Sequence, residues 1–162
     1  MLKKSLFLIT FILLASCIYA QIQEPVKFSS KLNIISDSEV ELVFSASIDK
    51  GWHVYSTNLP SGGPISATFN LTDSKGIKLD GKLTPRGKET SSFDKVFEMN
   101  LRYFEHNAAF VQKIKLTQPM YRIKGYLEYG ACNDENCLPP TEVSFDFSGK
   151  NDKIKAEDQS AS

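Results

Sequence analysis

The sequence predicts an all-β protein of immunoglobulin-like architecture, in which two antiparallel β-sheets pack face to face. Apolar and polar residues alternate with a period of two over several stretches, and short clusters of Gly, Pro, Asp and Ser separate these stretches. After residue 21, no segment carries a convincing apolar stripe with the 3.6-residue period of a helix. About seven to nine short strands at this spacing are typical of a β-sandwich.

The clearest alternation covers residues 40–48, where apolar side chains occupy every second position from Val40 to Ile48. Each such run presents one apolar and one polar face, as half-buried antiparallel strands do. Further runs lie at 67–71, 77–79, 110–116, 121–129 and 143–147. Turn-forming sequences between them lie at 49–51, 60–64, 73–76 and 85–87.

Residues 88–105 show the least regular pattern, and we expect a long excursion there. It would carry four aromatic side chains: Phe93, Phe97, Tyr103 and Phe104. Aromatic residues on a long loop either cover a functional site or pack the loop against itself.

The first twenty residues have the pattern of a secretory signal peptide. Lys3 and Lys4 precede an apolar run that is too short to cross a bilayer comfortably, and small residues follow it. Cleavage after Ala20 would release the mature chain. The sequence at 14–17 also matches a bacterial lipobox, in which Cys17 would be lipidated and retained as a membrane anchor. Both alternatives predict an exported protein, in the periplasm or anchored to a membrane.

The remaining sequence suits one domain, which we place at residues 21–148, followed by a polar and disordered tail at 149–162. The whole chain has 19 basic and 19 acidic residues, and two of the basic ones, Lys3 and Lys4, lie in the signal peptide. No basic face or basic run stands out, so the sequence does not predict a nucleic-acid partner. No second apolar run is long enough to span a membrane.

The domain contains two cysteines, Cys132 and Cys137, with Asn-Asp-Glu-Asn between them and Leu-Pro-Pro after the second. Export places both thiols in an oxidising compartment, where a disulfide between them is the expected resting state. A structural disulfide closing so short a loop contributes only about 2 kcal/mol. The alternative is an exposed, labile redox pair at the edge of the domain. Metal binding is a third alternative, but two thiolates do not complete a tetrahedral site.

Charge around the cysteines is acidic, because Asp134 and Glu135 lie between them and no Lys, Arg or His does. Such charge disfavours the thiolate forms. The two histidines, His53 and His106, are distant in sequence, and we interpret His53 as an exposed strand residue. Trp52 is expected to pack in the core of the sandwich.

The stretch from Cys132 to Pro140 resembles the active-site hairpin of the N-terminal periplasmic domain of the thiol:disulfide interchange protein DsbD. The segments at 51–56 and 62–64 resemble the early part of the same domain, in the form found in Bacteroidetes-type bacteria. The resemblance extends over about residues 27–147, which is nearly the whole mature chain.

The resemblance implies an immunoglobulin-like fold and a redox function without a cofactor. The family domain takes electrons from a thioredoxin-like domain and passes them to disulfide isomerases or cytochrome-maturation thioredoxins. Cys137 would form the mixed disulfide with the partner, and Cys132 would resolve it. Phe97 would lie at the tip of a cap loop that covers the disulfide, and Tyr55 would form a wall beside it.

Two features depart from the family pattern. Well-known members usually have one more residue between the cysteines. The family's full-length proteins also carry a transmembrane electron conduit and a C-terminal thioredoxin domain, neither of which is in this sequence. We therefore expect a stand-alone version that works with thioredoxin-fold proteins or with a membrane electron-conduit protein. The rival hypothesis is a non-catalytic exported binding module with a structural disulfide.

Overall fold

A computed structural model describes residues 24–95 and 97–154, and these form an immunoglobulin-like β-sandwich. The described residues contain eleven strands: β1 Val26–Ile34, β2 Glu39–Ile48, β3 His53–Tyr55, β4 Thr68–Lys75, β5 Ile77–Arg86, β6 Glu89–Asp94, β7 Met99–Phe104, β8 Asn107–Leu116, β9 Met120–Tyr129, β10 Ala131–Cys132 and β11 Thr141–Lys150. No helix among these residues is long and apolar enough to cross a membrane. The predicted signal peptide and Cys17 lie outside the described residues.

The described strands form three antiparallel sheets, with strand orders β1-β2-β8-β5, β11-β9-β4 and β10-β3-β7-β6. The first two pack face to face around a common apolar core. Phe44 of β2 lies 5.4 Å from Phe145 of β11, ring centroid to ring centroid, and Phe145 stacks on Phe69 of β4 at 5.2 Å. Trp52, which the sequence places in the core, is half-buried and packs against it.

The sequence patterns at 40–48, 121–129 and 143–147 correspond to strands β2, β9 and β11. In β2 the burial alternates strictly, with Val40, Leu42, Phe44, Ala46 and Ile48 all buried. The alternation arises because successive side chains on a strand point to opposite faces of the sheet.

Two expectations about the elements are corrected. The segment 88–105 is mostly a regular hairpin of β6 and β7 rather than an irregular excursion. Its strand β6 has no fully buried position, so it lacks the apolar alternation that would reveal it in the sequence. The number of strands is also higher than expected, partly because β3 and β10 have only three and two residues.

Strand β11 continues through Gly149 and Lys150, beyond the predicted domain boundary at residue 148. Asn151 then donates a hydrogen bond to the backbone oxygen of Asp37, and Ile154 packs against the core. The rest of the predicted tail, 155–162, lies outside the described residues.

Candidate redox site

Cys132 and Cys137 form a disulfide at the edge of the small sheet. Cys132 ends β10, which pairs with β3, and the backbone turns back so that Cys137 lies opposite Cys132 in an isolated bridge. The turn is held by Asn133, whose side-chain oxygen accepts hydrogen bonds from the backbone N–H groups of Glu135 and Asn136 at 2.9 and 2.6 Å. Asn suits this position because its side chain replaces a backbone acceptor in a tight turn.

The two cysteines differ strongly in exposure. Cys132 is 4% exposed and packs with Tyr55 and Leu101, whereas Cys137 is exposed. The backbone N–H of Leu138 donates a hydrogen bond to the backbone oxygen of Ala131 at 2.9 Å. Pro139 and Pro140 follow and are exposed. An incoming molecule therefore reaches the second cysteine more readily than the first.

The small sheet separates two environments. Val54, Phe104 and Ala131, which are aligned across the sheet, face the main core. The alternate positions face a second apolar cluster around the disulfide. This cluster contains Tyr55, Leu101 and Cys132, with Leu59, Phe97, Met99 and Tyr103 packed against them.

Phe97 lies in the turn between β6 and β7 and packs against the cluster that contains Cys132. Its ring meets the ring of Tyr55 edge-on, with 6.5 Å between centroids. The structure thus brings together the four site residues predicted from the sequence: Cys132, Cys137, Tyr55 and Phe97.

Asp94 links this turn to the wall of the site. Its carboxylate accepts a hydrogen bond from the backbone N–H of Phe97 at 3.0 Å and interacts with the Tyr55 hydroxyl through a second side-chain hydrogen bond. Burial, with smaller contributions from Asp94 and Tyr103, raises the pKa of Tyr55 to about 12. Tyr55 therefore stays protonated at neutral pH and serves as a hydrogen-bond donor.

His53 is a further residue of the site, and the expectation that it is an exposed strand residue is wrong, because it is half-buried. In the β3–β10 ladder His53 is the direct partner of Cys132. Its ring is half-buried and lies 4.7 Å from the ring of Tyr103 and 5.0 Å from that of Tyr55, between centroids. The sequence held no signal for this pairing, since β10 is too short to be recognised from its pattern.

The arrangement suits thiol–disulfide chemistry. A surface sulfur is bonded to a buried sulfur, and an aromatic residue from a neighbouring turn packs at the same site. Within 24–95 and 97–154, no group of three or more His, Cys, Asp or Glu side chains could hold a metal ion.

Comparison with known proteins gives the family. The family model described as the N-terminal part of thiol:disulfide interchange protein DsbD matches residues 20–149. The chain belongs to this family. No curated protein sequence matches it significantly.

Solved structures with a similar fold include the N-terminal periplasmic domain of ScsB from Proteus mirabilis. That structure aligns with a TM-score of 0.55 and 14% identity, over 76% of this chain and 46% of the other. This chain therefore spans about half the length of that relative. The N-terminal domain of DsbD from Neisseria meningitidis, in its reduced form, aligns with a TM-score of 0.44 and 22% identity, over 76% of this chain and 86% of the other.

Proposed function

We propose that this member of the DsbD N-terminal family carries electrons between proteins by reversible opening of the Cys132–Cys137 disulfide. The observation that carries the proposal is the bond between an exposed and a buried cysteine in a domain with a separate, complete core. Exposed disulfides are the labile and catalytic ones, whereas structural disulfides are usually resistant to reduction.

In the proposed reaction, the reduced domain meets the disulfide of a partner. The Cys137 thiolate attacks one partner sulfur, the partner disulfide breaks, and the second partner sulfur leaves as a thiolate that takes up a proton. Cys132 then attacks the Cys137 sulfur of the mixed disulfide. The Cys132–Cys137 bond forms, the first partner sulfur leaves and is protonated, and the partner is released as a dithiol.

Phe97 and Tyr55 have supporting roles in this proposal. Phe97 packs against the cluster around Cys132 and would shield the disulfide until a partner displaces its ring. Tyr55 forms a rigid wall, because the residue is 1% exposed and its hydroxyl donates a hydrogen bond to Asp94.

The proposed partners are proteins of the thioredoxin fold on one side and a membrane electron-conduit protein on the other. ScsB from Proteus mirabilis is described as having a periplasmic domain of this kind. We propose the same compartment here, which fits the signal-like sequence at 1–20. A lipid anchor at Cys17 is a separate proposal. Metabolic labelling with a fatty acid tests it, because only a lipidated chain takes up the label.

The rival function, a binding module with a structural disulfide, is favoured by one observation: Cys132 is buried among packed side chains. A redox titration distinguishes the two functions. The mature chain is equilibrated in thiol–disulfide buffers of graded potential, and free thiols are counted by alkylation and mass spectrometry. We expect a reversible transition between two folded forms, whereas a disulfide that opens only when the domain unfolds would favour the binding module.

Partners are identified by trapping in the native compartment. A Cys132→Ala variant should retain thioredoxin-fold proteins through Cys137, because the resolving thiol is missing. The variant that lacks both cysteines is the matched control and should retain none of them. Any protein recovered with both variants is bound without a disulfide.

A further inference from the structure

His53 and Cys132 are direct partners in the antiparallel ladder between β3 and β10. Side chains at paired positions lie on the same face of a sheet, with their β-carbons about 4.5–5.5 Å apart. The imidazole is therefore a neighbour of the Cys132 side chain, which becomes a thiol when the disulfide is reduced. The function proposed above does not use this residue.

The imidazole is held in place by its neighbours. Its ring packs against Tyr55 at 5.0 Å in an edge-on arrangement and against Tyr103 at 4.7 Å, between centroids. Tyr55 and Tyr103 are themselves paired across β3 and β7, so two strands fix the ring from one side. An ordered group beside a reacting atom is what general acid–base catalysis requires.

The protonation state of the imidazole also suits a proton acceptor. Burial lowers the pKa of His53 below the usual 6.5, and the carboxylates of Asp94, Glu105 and Asp134 offset this in part. These carboxylates come from β6, from the end of β7 and from the turn between the cysteines. Among the described residues, Tyr55 on β3 and Tyr103 on β7 also face the imidazole, as does Cys132. His53 is therefore mainly neutral at pH 7.

Cys132 needs such an acceptor. Only the thiolate is an effective nucleophile, and a buried thiol resists ionisation. The residues between the cysteines include Asp134 and Glu135 but no basic side chain. These negative charges disfavour the Cys132 thiolate, which is the form that must attack Cys137.

We propose that His53 is the general base for Cys132 in the resolving step, an inference that rests on the proposed redox function. As the Cys132 sulfur attacks Cys137, the imidazole takes the thiol proton. The Cys132–Cys137 bond forms and the bond from Cys137 to the partner sulfur breaks. The partner sulfur leaves with the electron pair and takes the proton from His53, directly or through solvent.

A two-phase reaction of the reduced protein with 5,5′-dithiobis(2-nitrobenzoate) isolates this step. Cys137 displaces the first thionitrobenzoate at a rate proportional to the reagent concentration. Cys132 then displaces the second from Cys137 at a rate independent of that concentration. The two phases are followed by stopped-flow absorbance between about pH 5.5 and about pH 9.5. This range extends about one unit below the usual histidine pKa of about 6.5 and about one unit above the usual thiol pKa of about 8.5.

In the wild-type protein the rate of the second phase should rise with pH through the pKa of His53 and then level off. In a His53→Gln variant it should be lower by about tenfold or more near pH 7, since general bases typically contribute 10²–10⁴-fold. This deficit should shrink at alkaline pH, where solvent removes the thiol proton. The first phase should change by less than about twofold.

Two further variants make the test decisive. His53→Phe keeps an aromatic ring against Tyr55 and Tyr103 and should show the same loss in the second phase. His106→Asn alters the other histidine, an exposed turn residue with φ of 64°, which Asn tolerates. It should leave both phases unchanged.

Equal slowing of both phases in the His53 variants would indicate a packing role and overturn the proposal. An unchanged second phase with an unchanged pH profile would also overturn it, while the redox function would stand. If the reduced wild-type protein released no second thionitrobenzoate, the cysteines would not act as an exchanging pair, and the proposed function would fail together with this inference.

Discussion

The two sulfurs of one disulfide have very different surroundings, and this difference is the basis of the proposed reaction. Cys132 is enclosed by Tyr55 and Leu101, while Cys137 lies on the surface. After Leu138, two prolines fix the backbone and offer no N–H groups. Access therefore decides which sulfur exchanges with a partner, since the acidic residues between the cysteines favour neither thiolate.

Phe97→Ala should increase severalfold the rate at which dithiothreitol reduces the disulfide. The substitution removes the ring that packs against Tyr55 and the cluster around Cys132. The rate is measured by quenching with an alkylating agent at timed intervals. The free energy of unfolding should fall only modestly, because Phe97 is not part of the main core.

Phe93→Ala is the matched control, since Phe93 lies on the same hairpin but is 61% exposed. Its reduction rate should equal that of the wild-type protein. If both variants were reduced equally fast, the effect would come from loosening the hairpin. An unchanged rate in Phe97→Ala would remove Phe97 from the site.

At the scale of the strands, the disulfide joins residues only five positions apart and adds little to stability. Replacing both cysteines with serine should lower the free energy of unfolding by no more than about 2 kcal/mol. Urea denaturation followed by tryptophan fluorescence measures this. A variant that failed to fold would show that the disulfide is a structural requirement.

Strands β4 and β9 approach each other closely at Gly125. Strand β4 has an irregularity between Leu71 and Asp73, opposite Gly125 and Lys124 of β9. A β-carbon at Gly125 would overlap the backbone oxygen of Asn70. Gly125→Ala should therefore destabilise the domain by about 1–3 kcal/mol, the usual range for overpacking.

Thermal unfolding measures the stability of Gly125→Ala, and Gly149→Ala provides the comparison. A β-carbon there meets the Tyr121 side chain rather than backbone, and that side chain is able to rotate away. Its effect should be clearly smaller than that of Gly125→Ala. Equal losses would mean that the backbone contact is not what makes Gly125 necessary.

The hairpin of β6 and β7 shows where prediction from the sequence fails. Strand β2 was predictable because one of its faces is buried and alternates cleanly. Strand β6 has exposed or partly exposed residues on both faces, so its pairing with β7 comes from backbone hydrogen bonds that leave no pattern in the side chains. The family resemblance nevertheless assigns Phe97 to a cap loop over the disulfide, and the Phe97 ring lies 6.5 Å from that of Tyr55, between centroids.

For the whole molecule, the sandwich and the cysteine pair could be predicted, while the residues across the site could not. Alternation and turn chemistry act locally, and they reveal strands such as β2, β9 and β11. The partnership of His53 with Cys132 depends on how two very short strands meet. The pairing of these strands depends on the folded chain and not on the sequence of either strand alone.

Stability of the whole domain should depend on pH through His53. Burial lowers the pKa of His53 in the folded protein below 6.5, so the unfolded chain binds the proton more strongly. The contribution of neutral His53 to the free energy of unfolding is fully present above about pH 6.5. It is lost as the pH falls toward the folded-state pKa of His53. Urea unfolding between pH 7.5 and pH 5.5, or about one unit on each side of 6.5, should show decreasing stability, and His53→Gln should flatten the decrease. A wild-type curve parallel to that of the variant would contradict this assignment.

Capture of a partner by single-cysteine variants tests whether Cys137 is the sulfur that exchanges with partner proteins. Cys132→Ala and Cys137→Ala are each mixed, after reduction, with a thioredoxin-fold protein whose only cysteine, its attacking one, is activated as a thionitrobenzoate disulfide. The covalent complexes are then quantified on a non-reducing gel. We predict that Cys132→Ala accumulates the mixed disulfide through the exposed Cys137, whereas Cys137→Ala does not. The reverse pattern would exchange the two cysteine roles, and the absence of a complex with either variant would contradict the redox function itself.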